Sequence, residues 1–367
     1  MKGAKLISAT GRQLTRMGAR PLFDEGLYEL GRDSYAWLVP NGSWGETNIG
    51  LVRCGDQTVL IDTCWDLPHT REMLGHADQF LRDAPVHAII NTHADGDHCW
   101  GNQLFAGRPI YSTRACADQI HHHKPIQLTA LQWSSKIFSG IPTNGVDALG
   151  RYMGAMLKPY RFSGIKVLGA SQTFSGEMPL EIGNVKFHLL ELGPGHTDGD
   201  CIVHIPERRI LFAGDLLFVG VTPVAWAGPV SNIIKALKRI QAFDVDVIVP
   251  GHGPLATQED VQQQIDYWEW LQSELAPLAA KGVNVDEAAQ LCLSSMGFRN
   301  APFAKWADTE RLFTSACTLY REWGIETAKY RGPLGQLDHF RRQALLGSVT
   351  VGPESATDTF ESPRKRP

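Results

Sequence analysis

No stretch of this sequence is apolar for long enough to cross a bilayer, and residues 1–20 are polar and basic, without the apolar run of a secretory signal. Cysteine is sparse and unpaired in pattern: seven residues, scattered at 54, 64, 99, 116, 201, 292 and 317. An odd, dispersed set does not read as a disulfide framework, so a reducing, cytoplasmic setting is expected. Basic excess is also missing. The net charge is −4, which argues against nucleic acid or an anionic membrane as partner. No internal repeat is visible.

What is present is an ordinary globular composition. Across 367 residues, 43% are hydrophobic and 20% charged, enough for a large core plus an appendage. Short strand patterns occupy 34–39, 47–53 and 58–61, and Gly55-Asp56 supplies a hairpin turn between the last two. A helix is expected over 67–81, then a buried strand at 86–91 and a short strand at 110–112. Residues 115–165 change character. Trp133, Phe138, Tyr152, Met153, Met156, Tyr160 and Phe162 lie among glycines and prolines, with no strand period. We read helical pieces there, a lid or insert whose aromatics, with Trp226, either line an apolar pocket or pack the insert onto the core. Strands return at 185–190, 201–205, 210–213 and 245–249, with a helix over 231–241. Beyond His252 the pattern is helical: Val261, Ile265, Trp268, Leu271 and Leu275 recur every three or four residues, and 310–320 repeats the spacing. The expected organisation is a catalytic domain over 20–258, a helical extension over 259–346 and a disordered tail over 347–367.

The segment Asn91-Thr92-His93-Ala94-Asp95-Gly96-Asp97-His98-Cys99 carries the chemistry. Four potential metal ligands fall within six residues, just after a buried strand, where a loop can fan them around one point. Taken alone it could be a solvated turn. Three further segments share its context: Gly195-His196, Gly214-Asp215 and Gly251-His252 each place one ligand type beside a glycine at a strand end. By contrast, His121-His122-His123 lies outside the motif and reads as a solvated run, Cys99 as a small buried hydrophobe, and His69, His76, His87 and His339 have no partner pattern.

These motifs, with Val59-Leu60-Ile61-Asp62-Thr63, resemble the metallo-β-lactamase superfamily in order and spacing from about residue 34 to residue 254. The resemblance implies an α/β (α+β) fold, a four-layer αββα sandwich, here with a helical insert and a C-terminal helical extension. It implies two divalent metal ions, zinc first, with iron or manganese as alternatives. His93 and His196 would hold one metal, Asp97, His98 and His252 the other, and Asp215 would bridge them. Asp62 would be a buried supporting carboxylate.

One position departs from the family pattern: Asp95 stands where a second histidine is usual. Asp95 either ligates the first metal, making a harder site suited to iron or manganese, or falls short and leaves that metal weak, or is a tolerated variation. We take it as a ligand. The implied activity is a dinuclear hydrolase acting on a small ester-like substrate (thioester, lactone, amide or phosphoester) through a metal-bridging hydroxide, with Asp97 and Asp215 as the catalytic carboxylates. A diiron redox or oxygenase enzyme on the same fold is the alternative, and a non-catalytic metal-binding scaffold the third. The partner is a small molecule, and a homodimer is left open.

Overall fold

The computed structural model describes residues 4–350 except 43, 123, 326, 328, 329 and 331. Two sheets face one another. The first holds β1 (Lys5–Ala9), β2 (Gly26–Gly31), β3 (Ser34–Leu38), β4 (Ile49–Cys54), β5 (Gln57–Ile61), β6 (Val86–Ile90), β7 (Ile110–Thr113) and β8 (Gln172–Phe174), in that spatial order. Pairing is antiparallel from β1 to β5 and parallel from β5 to β8. The second holds β9 (Glu177–Ile182), β10 (Val185–Glu191), β11 (Cys201–Ile205), β12 (Ile210–Phe218) and β13 (Val247–His252), with only the β12–β13 pair parallel.

Period-two alternation divides each strand between two cores. On β5, Val59 and Ile61 face the space between the sheets, where they meet Phe187, Leu189, Val203 and Phe212; Leu60 points outward with Trp37 and Ile49. That outer face is covered by α1 (Leu67–His76), which buries Met73. A second short helix, α2 (Asp78–Leu81), follows; the single helix expected over 67–81 breaks at Ala77, whose ψ is 0°. The second sheet's outer face is covered by α7 (Val230–Gln241) and α8 (Gln258–Ala280), after α3 (Gly96–Cys99), α4 (Arg114–Gln119), α5 (Pro125–Phe138) and α6 (Val146–Leu157). Helix, sheet, sheet, helix: the fold is the four-layer αββα sandwich.

The helical insert is α4 to α6. Met153, Leu157, Tyr160 and Phe162 pack it onto Trp65 and Trp100, whereas Trp133 is 68% exposed. Packing is therefore the role of most aromatics there. After α8 come α9 (Val285–Ser294), α10 (Met296–Asn300), α11 (Leu312–Glu322) and α12 (Gly332–Thr350). The buried stripe of α8 contains Val261, Ile265, Trp268, Leu271 and Leu275, and a Thr257–Asp260 capping box starts the helix. The expected disordered tail overlaps α12 over 347–350; residues 351–367 lie outside the described ones. Strands β1 and β2, not foreseen, extend the first sheet to Lys5. All seven cysteines are buried thiols. Among the described residues no helix is long and apolar enough to cross a membrane.

Candidate metal centre

The strand-end segments meet at one edge of the two sheets. His93 follows β6, and His98 lies on α3, a single turn whose tightness brings Asp95, Asp97 and His98 to one side of the loop. His196 follows β10, and His252 is the last residue of β13. Asp215 sits within β12 rather than at its end. The strand is irregular there: Gly214 has φ 53° and the register shifts on both sides of it, which turns Asp215 out of the pleat. Glycine is required twice over, because a Cβ on Gly251 would collide with Asp215 Oδ1.

The ligand-capable atoms fall into two groups, His93–His196–Asp215 and Asp97–His98–His252, each within 4.8 Å. Asp215 links them: Oδ1 is 3.1 Å from His98 Nε2, and Oδ2 is 3.2 Å from His252 Nε2, 3.4 Å from His196 Nε2 and 3.9 Å from His93 Nε2. Asp95 stands outside the first group, but its Oδ2 is 3.1 Å from His196 Nε2. Asp97 Oδ2 is 3.5 Å from His252 Nε2 and 3.8 Å from His98 Nε2.

The surrounding hydrogen bonds aim the imidazoles. His98 Nδ1 lies 2.9 Å from Asp62 Oδ2, and His196 Nδ1 lies 2.7 Å from the Val224 carbonyl. Both acceptors lack a proton, so each Nδ1 donates and each Nε2 is aimed at the centre. Thr92 extends the pattern. Its hydroxyl donates to Asp62 Oδ2 at 2.7 Å and so accepts from His93 Nδ1 at 3.0 Å. Asp62 thus orients two histidines. It holds a left-handed φ of 65°, unusual for a residue with a side chain.

Electrostatics are dense. Burial disfavours the His98 cation, but Asp215, Asp97 and Asp62 outweigh it and hold His98 well above the ordinary histidine value. Burial likewise opposes the His196 cation, yet Asp95 and Asp215 lift it to about 9. His93 is pushed down by burial and by its histidine neighbours. Burial would raise Asp215, but His252, His98 and His93 keep it well below the usual carboxylate range. His93 Nε2 and Asp215 Oδ1 are buried without a hydrogen-bond partner among the described residues. Buried polar atoms that converge without hydrogens to share are what cations satisfy. The residues therefore fit a pair of divalent metals.

Several contributors carried no signal in the sequence. Thr47 donates to Asp97 Oδ2 at 3.0 Å, and its backbone bridges to His252. Asn48 donates to the carbonyls of Pro250 and Gly253, tying this loop to the His252 turn. From α11, Ser315 donates to the Pro223 carbonyl and Thr318 to that of Ala225, bracing the loop whose Val224 carbonyl orients His196. His339, without a partner pattern in the sequence, is 2.8 Å from Thr314 Oγ1 and 6.1 Å, ring to ring, from Trp226. Trp44 stands in an aromatic group with Trp65, Tyr152 and Phe340. Phe340 and Tyr152 come from α12 and α6. His121 and His122 are exposed in a turn and belong to neither three-residue group; His123 lies outside the described residues. Cys99 is buried and donates to the Asp95 carbonyl at 3.1 Å.

The metallo-β-lactamase superfamily model matches residues 42–252, from the loop carrying Trp44 and Thr47 to the last histidine. This chain belongs to that superfamily. A 2,4-dinitroanisole O-demethylase subunit alpha from a Nocardioides species is 25% identical over 262 residues, covering 70% of this chain and 66% of the relative. A linear primary-alkylsulfatase from a Pseudomonas species is 22% identical over 268 residues, covering 65% and 48%. The solved stereoselective inverting sec-alkylsulfatase of a Pseudomonas species superposes with a TM-score of 0.55 at 16% identity, over 92% of this chain and 52% of that one. That likeness is one of fold. The chain thus spans between about half and two thirds of the length of these relatives.

Proposed function

We propose that this chain is a dinuclear metal-dependent hydrolase acting on a small ester-like substrate. The observation that carries the reading is Asp215, whose two carboxylate oxygens face histidines of both three-residue groups. His93, His196 and Asp215 would hold one metal, with Asp95 beside them; Asp97, His98, His252 and Asp215 would hold the other. Divalent cations bound there would supply Lewis acidity and acidify a water toward a pKa of about 7.

The chain's own groups supply orientation and proton handling. Asp62 and the Val224 carbonyl fix the Nδ1 protons of His98 and His196, which keeps Nε2 available. Asp97 is the exposed member of its group, with a side chain 16% accessible against 0% for His98 and 3% for His252. One of its oxygens is held by Thr47. It is therefore the carboxylate placed to take a proton from the attacking water and return it to a leaving group. The Phe218 ring, stacked on His252 at 5.3 Å and 3°, screens that side of the centre from water.

The relatives act, by name, on an aryl ether and on alkyl sulfates. Sulfate esters therefore join thioester, lactone, amide and phosphoester as substrates to assay. The test is metal content by plasma mass spectrometry on chelator-free protein, followed by that substrate panel. Two equivalents with turnover, both lost in His196→Ala and His252→Ala, support the reading; turnover that survives in those variants rejects it.

One observation favours a second reading. Asp95 Oδ2 lies 3.1 Å from His196 Nε2, so the first group would present two carboxylates to its metal. Such a hard donor set suits iron or manganese and a diiron redox enzyme. Two equivalents of iron, with oxygen consumption in place of hydrolysis, would establish that reading instead.

A further inference from the structure

Helix α8 carries a polar residue where its pattern calls for an apolar one. Gln264 lies in the buried stripe, between Val261 and Ile265, and is 1% exposed. The stripe packs with Leu216, Leu217 and Ile233 in one apolar cluster. An amide buried in such a place is costly unless both of its ends are hydrogen-bonded. Both are: Gln264 Nε2 donates to the Leu216 carbonyl at 2.9 Å, and the Phe218 N–H donates to Gln264 Oε1 at 2.8 Å.

These two backbone groups belong to β12 where it departs from β13. Gly214 is opposite Pro250 and Phe218 is opposite His252, so four steps along β12 span two along β13. Surplus length of this kind leaves backbone groups without ladder partners, and Pro250 has no N–H to offer. The Gln264 amide, a donor and an acceptor side by side, takes the place of the absent strand neighbour. Asp215 stands at the edge of the clamped stretch. Gly214 turns the chain just before it, and Gln264 fixes the chain from Leu216 onward. At the far end the Phe218 ring stacks on His252, with centres 5.3 Å apart and planes within 3°, and the Arg311 guanidinium lies 5.5 Å from the centre of the same ring.

We propose that Gln264 is a positioning residue for the metal centre: its amide completes the irregular stretch of β12 and so sets where the Asp215 carboxylate and the Phe218 ring stand. This rests on the reading of Asp215 as the link between two metals. Gln264 acts through the strand backbone, not on a metal or a substrate. It lies beyond residue 252, where the family match ends, so part of the support of the centre comes from the first helix of the extension.

The test uses the full chain, stripped of metal and reloaded with cobalt(II), whose visible absorption reports the geometry of its ligands. Wild type, Gln264→Met and Gln264→Glu are titrated in competition with a chromophoric chelator. Gln264→Met keeps the length of the side chain and removes both bonds; Gln264→Glu keeps the shape and an acceptor for the Phe218 N–H. Cobalt affinity should weaken by about tenfold or more in Gln264→Met, as when the support of a ligand is removed, and the visible spectrum of the bound cobalt should change. Gln264→Glu should show a smaller loss. A residue serving only the stability of the fold would lower the melting temperature and leave both cobalt readouts of the folded chain at their wild-type values; that outcome overturns the proposal. If Gln264→Met does not fold, Gln264→Glu is judged on the same terms. Cobalt binding that depends on Gln264, in a chain that hydrolyses none of the substrate panel, leaves this inference standing and ends the hydrolase reading. Turnover with cobalt readouts indifferent to Gln264 does the reverse, and a wild type that binds no cobalt overturns both.

Discussion

The Thr47 hydroxyl donates to Asp97 Oδ2 across 3.0 Å, joining the loop before β4 to the turn after β6 that carries Asp97 and His98. This bond restricts Asp97, the most exposed member of its group, to one rotamer. Thr47→Val removes the donor and keeps the shape. We expect kcat to fall by roughly tenfold with little change in melting temperature, as for a neutral-to-charged hydrogen bond. Thr47→Ser should restore most of the rate. Steady-state kinetics beside metal content distinguishes a misplaced Asp97 from a lost metal.

On the proposed reading, Asp95 would set the character of the first metal site. Its Oδ2 is within 3.1 Å of His196 Nε2, and its side chain is 25% accessible. Asp95→His should shift the bound metal toward zinc, because imidazole is the softer ligand. Asp95→Ala should leave about one equivalent bound. Plasma mass spectrometry on both variants, expressed under the same metal supply, reads the outcome; unchanged iron-to-zinc ratios in Asp95→His would remove Asp95 from the ligand set.

Gly251 lies where no side chain fits. A Cβ there would run into Asp215 Oδ1 and approach the Gly214 backbone carbonyl carbon to 2.8 Å. Gly251→Ala must therefore displace the linking carboxylate. Metal affinity should drop by about tenfold to a hundredfold, the range seen when ligand positioning is disturbed. Competition against a chromophoric chelator measures it, and a wild-type affinity in this variant would contradict the assigned role of Asp215.

Glu310 gives a pH signature in stability. Burial, reinforced by Asp308, raises its carboxyl from 4.5 to about 7. The folded state then holds a proton that the unfolded chain has already released, so stability is full below about pH 4.5 and declines as pH rises toward 7. Glu310→Gln keeps the acceptor for Tyr152 and removes the titration. The variant should gain on wild type by about 1–3 kcal/mol between pH 4.5 and pH 8. Denaturant melts at both pH values, with parallel curves counting against the argument, provide the check.

Much of this molecule is written in local patterns. The alternation at Val59-Leu60-Ile61 assigns two faces to β5, and the apolar spacing from Val261 to Leu275 gives α8 its buried stripe. The ligand types at 93–98, 196, 215 and 252 are visible because each stands beside a glycine at the end of an apolar run, a signal confined to a few neighbouring residues. Strands β1 and β2 escaped because strand preference depends on the neighbours a strand finds, not on its own residues alone.

What only the tertiary structure decided is which distant groups meet. Threonine at 47, arginine at 311 and serine and threonine at 315 and 318 are unremarkable in sequence; their roles arise from Asp97, Phe218 and the Pro223–Ala225 carbonyls being brought against them. The same holds for Asp215, whose turn out of β12 depends on a register shift against β13. A hydrogen bond or a ring contact is a property of separation in space, and residues 50 or more apart in the chain acquire it only when the fold brings them together.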